Sequence, residues 1–180
     1  MDDTRFEQMV REVHEKALRL AHAVLGDWEE ARDAVQEAFV KAYRRKRGFR
    51  GDAAPSTWFF PILMNHCRDR LRRRRVRAFL LPWRRSGGAS DAPEPPEDHP
   101  DPGPGPADAV EQRAFRRALE RAMRRLPRRQ REVFQMRALT GLTLAETAAT
   151  LGISVGAAKA HLFRATRALQ RELAVWRDET

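Results

Sequence analysis

Thr143 to Leu169, TLAETAATLGISVGAAKAHLFRATRAL, reads as two helices joined by a tight turn. Thr143 is placed to cap the first helix, and Glu146 three residues on completes a capping box. Leu144, Ala148 and Leu151 give that helix one apolar side. Gly152 follows, a residue that tolerates positive φ at a helix end. Ile153 plugs the corner, and Ser154 opens the next helix as its cap. In that second helix Val155, Ala158, Leu162, Ala165 and Leu169 recur at spacings of three and four, which predicts one buried stripe. Its other side carries Gly156, Ala157, Lys159, Ala160, Phe163 and Arg164. Small residues first and basic ones later suit a helix whose N-terminal end enters a DNA major groove.

Composition agrees with a polyanionic partner. The 180-residue chain holds 35 Lys and Arg against 25 Asp and Glu, a formal charge of +10. Such a balance points to nucleic acid. The excess is mostly arginine, the side chain suited to phosphate forks and guanine edges. The single cysteine, Cys67, rules out a disulfide framework within the chain and a Cys-rich zinc site. The start, MDDTRFEQM, has neither the basic nor the apolar region of a signal peptide. Apolar runs such as Trp58–Met64 are too short to span a bilayer. A cytoplasmic protein with no membrane contact of its own is expected.

Working back to the N-terminus, Phe6, Met9, Val13, Ala17, Leu20 and Val24 mark one face of a first helix that ends at Gly26. Asp27 caps a second, with Glu29 and Glu30 in its first turn, where the dipole favours acids. Trp28, Ala31, Val35, Ala38, Phe39 and Ala42 form its apolar stripe. Asp33 and Glu37 fall opposite, with Gln36 on the flank, an acidic patch fit for a basic partner. Phe49 to Thr57 is a loop by its Gly, Asp and Pro content. A third helix is expected from Ser56 or Thr57 through Arg75, with Pro61 near its first turn. Its apolar residues, from Trp58 and Phe59 to Cys67 and Leu71, outnumber what one buried face needs. Asn65, Arg68, Asp69 and Arg72 make its polar side, and the run Arg72–Arg75 suits phosphate contact. Aromatics beside arginines also suit unstacked bases.

Residues 84–108 change character. Between Asp91 and Asp108 stand seven prolines and six acids, with no Lys or Arg. The segment is expected to be a flexible linker. A second helical region follows, with Val110, Phe115, Leu119 and Met123 on one helix and Val133, Phe134 and Met136 on the next. Residues 171–180 are expected to fray. The fold class is therefore all-α. Two small helical domains, 1–83 and 109–180, are joined by the linker, and the second carries the helix-turn-helix.

The run GDWEEARDAVQEAFVKAYRRKRGFRGDAAPSTW, then NHCRDRLRRRR, resembles the N-terminal domain of bacterial extracytoplasmic-function sigma factors. RLPRRQREVFQMRALTGLTLAETAATLGISVGAAKAHLFRATRAL is similar to their C-terminal domain. The resemblance covers both domains and implies roles residue by residue. Asp33, Gln36 and Glu37 match the motif that grips core RNA polymerase. Phe49 to Thr57, with Asp52, matches the loop that captures a flipped base of the minus-ten promoter element. Trp58, Asn65, Arg68, Asp69 and Arg72 fall in the helix that opens and reads that element. Lys159, Ala160, His161, Phe163 and Arg164 match positions that contact the minus-thirty-five element. The implied function is promoter recognition and melting as a sigma subunit. The implied partners are core RNA polymerase, promoter DNA and an anti-sigma factor, with no cofactor.

Two rival readings leave residues unused. A free-standing helix-turn-helix regulator leaves the Asp33–Glu37 patch and the Trp58–Arg75 stretch without a role. An enzyme finds little support. His66 and Cys67 are neighbours on a helix and point about 100° apart, a poor geometry for a Cys–His pair, and the histidines show no metal-ligand spacing.

Overall fold

A computed structural model describes residues 1–49, 51, 53–80 and 106–176, with backbone alone at 78–79 and 106–110. The expected linker lies almost wholly outside the described residues, as do Arg50 and Asp52 of the loop. Seven α-helices and two short 3₁₀ turns account for nearly all of the described chain, and no strand occurs among the described residues. The helices are α1 (Asp3–Leu25), α2 (Trp28–Arg45), α3 (Pro55–Leu80), α4 (Pro106–Arg125), α5 (Arg128–Thr140), α6 (Leu144–Leu151) and α7 (Val155–Glu172).

The caps follow the sequence closely. Asp27 accepts from the Glu30 amide at 2.8 Å and starts α2. The box at α6 is complete: the Glu146 amide donates to Thr143 Oγ1 at 3.2 Å, and the Thr143 amide donates to Glu146 Oε2 at 2.7 Å. Ser154 accepts from the Ala157 amide and starts α7. Between those helices Gly152 turns the chain at φ 66°.

Three helix bounds differ from expectation. The third helix begins at Pro55 and runs to Leu80, not Arg75. Pro55 takes the first position, where its missing N–H costs nothing. Pro61 consequently sits in the second turn rather than near the first, where it removes one helical hydrogen bond. The fourth helix begins at Pro106, three residues before Ala109, again with proline leading. Of the end expected to fray, residues 177–180 lie outside the described residues, and Arg171 continues the helix. Helix α7 runs to Glu172, and Trp176 in the following turn packs edge-on against Phe115 at 5.7 Å.

α3 explains the architecture. Phe59 and Phe60 are consecutive, so they point about 100° apart, yet both are fully buried, as are Leu63, Met64 and Cys67. One neighbour could not cover so wide an arc. α1 and α2 pack on α3, α6 packs on it as well, and α5 packs on α1. One buried cluster accordingly joins Met9, Leu20 and Val35 to Phe59, Phe60 and Leu63, and these to Val133, Met136, Leu142 and Leu151. A smaller cluster of Ala122, Leu126, Ala165 and Leu169 seats α4 and α7.

Polar contacts cross between the two regions. Arg68 donates to both carboxylate oxygens of Glu132, at 3.4 and 3.1 Å. Glu132 is buried, and Arg128 and Arg129 complete its shell at 2.8 and 3.2 Å. Thr57 Oγ1 donates to Glu146 Oε1 at 2.8 Å, so the capping glutamate serves two helices. Gln135 Nε2 donates to the Ala23 carbonyl at 2.8 Å, satisfying one of the acceptors that α1 leaves open at its end.

Within α7 the stripe holds for Ala158, Ala165 and Leu169, with Leu162 half-buried. Val155 departs from it and is exposed, because the first residue of the helix stands beyond the reach of the packed core.

The left-handed turn at Gly152 gives a stability prediction. An added Cβ would meet nothing within 4 Å, so Gly152→Ala suffers only the backbone penalty. Chemical denaturation should show a loss of about 1 kcal/mol. A loss near zero would mean that the turn relaxes out of the left-handed region.

Candidate nucleic-acid interface

Around α3 each functional group is placed by the 100° step of the helix. Trp58, Asn65, Asp69 and Arg72 differ by seven, four and three residues, so they share one stripe. His66 and Arg70, one turn apart, form a second stripe that faces α2. Arg68 lies about 200° from His66 and faces α5. The expected minus-ten residues therefore do not form one set. Trp58, Asn65 and Asp69 stand together, and Arg72 pairs with Asp69 at 3.3 Å a turn further on. Arg68 is drawn away to Glu132, with its side chain 18% exposed.

The first set lines an open cavity of about 710 Å³, with Phe49, Lys41, Arg45, Thr57, Pro61, Ile62 and His66 completing its wall. Phe49 and Trp58 meet with ring centroids 5.5 Å apart and planes tilted by 58°. Phe49 is buried, and Trp58 is half-buried. Aromatic walls offer a base a stacking surface, Asn65 offers both a donor and an acceptor, and Lys41 and Arg45 offer charge to a phosphate.

On α2, Asp33, Gln36 and Glu37 are exposed on one side of the helix, as expected. Arg70 braces this patch from below. It donates to Glu37 Oε1 at 2.8 Å and to the Glu30 carbonyl at 3.2 Å, and it lies 3.9 Å from Asp33. Between α2 and α3 three side chains converge, and His66 Nε2 is buried there without a hydrogen-bond partner. Lys41 Nζ lies 2.6 Å from His66 Nδ1, and His66 Nε2 lies 3.0 Å from Glu37 Oε2. Sequence reasoning missed Lys41, His66 and Arg70. Only the Glu37–Lys41 spacing of one helical turn marked this side of α2.

Burial, and then the Lys41 ammonium, push the His66 imidazole below its ordinary value against the pull of Glu37. Partial burial works against the Glu37 carboxylate, yet the Arg70 hydrogen bond and the neighbouring cations hold it below the usual range. Burial lowers His22 as well, which stacks on Trp28 at 3.8 Å. Burial pushes the Cys67 thiol up to about 12. The thiolate needed of a nucleophile is thus suppressed.

On α7 the expected reading residues occupy the outer side. Lys159, Phe163 and Arg164 are exposed, whereas Ala160 and His161 are half-buried. His161 Nδ1 is buried without a hydrogen-bond partner. The Arg167 guanidinium lies over the Phe163 ring at 5.7 Å. Beside them runs a basic cleft of about 610 Å³ lined by Arg125, Gln130, Arg164, Arg167 and Arg171. Among the described residues no group of three His, Cys, Asp or Glu is arranged to hold a metal ion. No helix among them is long and apolar enough to cross a membrane.

A helix-turn-helix, an aromatic cavity edged with basic residues and an exposed acidic face suit a nucleic-acid-binding protein, and comparison with known proteins gives its kind. Residues 9–77 match the family model for sigma-70 region 2, and residues 116–169 match the model for sigma-70 region 4. The chain is 34% identical to the ECF RNA polymerase sigma factor SigM of Mycobacterium tuberculosis, over 96% of this chain and 79% of that protein. It is 33% identical to the ECF RNA polymerase sigma-E factor of Escherichia coli, over 78% and 72%. The fold is similar to the sigma factor RpoE of Bartonella quintana, solved in complex with the anti-sigma factor NepR. The TM-score there is 0.71 at 23% identity, over 94% of this chain and 97% of that one. CnrH, solved with the cytosolic domain of CnrY, gives 0.65 at 22% identity, over 97% and 90%. The chain belongs to the extracytoplasmic-function sigma factors of bacterial RNA polymerase.

The lowered histidines set a pH dependence. Below pH about 6.5 the unfolded chain takes up protons that folded His22 and His66 refuse, so stability falls with pH in that window. The lowered Asp3, Glu37, Glu132 and Glu146 act separately, below pH about 4.5, when their hydrogen bonds and ion pairs are lost on protonation. Thermal midpoints measured from pH 8 to 5 should decline below about 6.5, and less steeply in His66→Gln. An unchanged slope in that variant would mean that His66 titrates normally in the folded chain.

Proposed function

We propose that this sigma subunit docks on core RNA polymerase through Asp33, Gln36 and Glu37 of α2. In this reading the cavity at Phe49, Trp58, Asn65 and Asp69 receives an unstacked base of the minus-ten element. Asp52 takes part in capturing that base, and Arg72 meets the adjoining phosphates. Lys159, Ala160, His161, Phe163 and Arg164 of α7 meet the minus-thirty-five element. The cavity carries the proposal. A base drawn out of the stack and held against aromatic walls lets binding energy offset unstacking, so the duplex opens without a separate energy source.

The chain acts here as a non-catalytic subunit in the cytoplasm. Its work is binding and strand separation. An anti-sigma protein, the kind of partner found with RpoE, completes the set of partners. The compact arrangement has a consequence for DNA binding. The two promoter elements stand about two helical turns, or about 70 Å, apart. Helices α3 and α6 pack against each other in the free chain. The two regions part on the promoter, and Arg68 then exchanges Glu132 for a DNA phosphate.

Run-off transcription with purified core polymerase on a library of promoter fragments tests the function. A defined subset should respond, and its shared upstream bases identify the two elements. Glu37→Lys should abolish the response with helical content unchanged. Lys159→Ala and Arg164→Ala should each lose about 1–3 kcal/mol of discrimination at the minus-thirty-five element. No response to core polymerase, together with specific DNA binding by the chain alone, would overturn the sigma reading in favour of a free-standing regulator.

A further inference from the structure

We propose that Arg5 of α1 is a further DNA-binding residue, one that takes a backbone phosphate of the single strand at the rim of the base cavity. The inference rests on the reading of that cavity given above. Phe49 forms part of the cavity wall and is 8% exposed. Trp58 covers part of its ring, and the Arg5 guanidinium covers another part, with Cζ 5.4 Å from the ring centroid. That distance is within the range of a cation–π contact. Arg5 is itself exposed, although the ring beneath it is buried. The first turn of α1, far from the cavity in sequence, thus reaches its edge.

The contact fixes the guanidinium without spending its donors. An aromatic ring attracts the flat face of an arginine, whereas the N–H groups lie along the edge. The donors therefore remain for an acceptor, in a planar fork that matches two oxygens of a phosphate. The backbone that carries Arg5 is fixed as well. Asp2 accepts from the Arg5 amide at 2.8 Å and caps α1. Phe6 is buried and meets Tyr43 edge-on at 5.3 Å, which seats the start of α1 on the end of α2. Lys46, the neighbouring cation, is by contrast engaged. It bonds Asp3 and lies 3.7 Å from the centre of the Tyr43 ring. That bond also answers the charge of Asp3, which would otherwise oppose a phosphate. A base stacked inside the cavity leaves its sugar and phosphates outside, at the rim. Arg5 meets the strand there from α1, as Lys41 and Arg45 meet it from α2.

The test uses the assembled holoenzyme and a fluorescent single-stranded oligodeoxynucleotide carrying the minus-ten sequence found by run-off. Neutral methylphosphonate linkages replace its phosphates one at a time. Arg5→Leu should bind the unmodified probe about tenfold more weakly, a modest value for a hydrogen bond between charged groups. At one linkage the methylphosphonate should weaken the wild type and leave Arg5→Leu unchanged. At the other linkages both should respond alike. The plot of log affinity against log salt should be shallower in Arg5→Leu by about 0.7, the weight of one phosphate on a single strand. Arg5→Lys, which keeps the charge, should restore that slope. Should Arg5→Leu fail to fold, Arg5→Gln carries the same expectation, because it loses the charge and keeps a polar side chain. If Arg5 only props the Phe49 wall, Arg5→Leu will keep the wild-type salt slope and the wild-type response at every linkage. That result, or an unaltered affinity, would overturn the inference, and with wild-type run-off intact it leaves the sigma reading standing. Loss of promoter-specific run-off in the wild type would overturn both.

Discussion

A helix with apolar side chains spread around most of its circumference cannot be satisfied by one neighbour. α3 is such a helix. Phe59 and Phe60 alone demand cover over more than a quarter turn, and Leu63, Met64 and Cys67 extend the buried arc. α1 and α2 supply one wall, and α6 with the adjoining α5 supplies the other. The position of each functional group on α3 follows from this. The stripe left uncovered carries the cavity, the stripe against α2 carries the groups that brace the acidic face, and the stripe toward the C-terminal region carries Arg68 and Thr57.

The seam between the two regions combines apolar packing with polar contacts. Buried apolar groups line it, but its directional contacts are polar and include an arginine–carboxylate pair. Such a pair gains little over a well-packed apolar substitute, because both ions lose water to make it. Arg68 is held in an internal bond to Glu132, and Thr57 borrows the second oxygen of a glutamate already employed as a cap.

Local chemistry was the legible part of the sequence. The caps at Asp27, Thr143 and Ser154, the turn at Gly152 and the periodic stripes each declare themselves within a few residues. The expected cavity residues Phe49, Trp58, Asn65 and Asp69 converge, and Lys159, Phe163 and Arg164 face outward together. What stayed hidden depends on pairs far apart in the chain. Glu132 and Gln135 lie between the apolar positions of a basic helix, yet both are buried by partners on α3 and α1. Arg70 is indistinguishable by composition from its neighbours in the arginine run, but helical phase turns it inward to Glu37. His66 was weighed against Cys67 beside it, whereas its partners lie on α2. Val155 obeyed the periodicity and is still exposed, because periodicity names a face without saying how far along the helix the cover extends.

Cys67 adds a practical consequence. It is the single cysteine of the chain, wholly buried on α3, with its thiol held protonated. A thiol in that state reacts with an alkylating probe only through moments when the helix leaves its neighbours. The labelling rate of the unaltered protein is therefore a clock on that opening. Each assembly state of the subunit, alone, on polymerase or under an inhibitor, has its own reading on a reporter already built into the core.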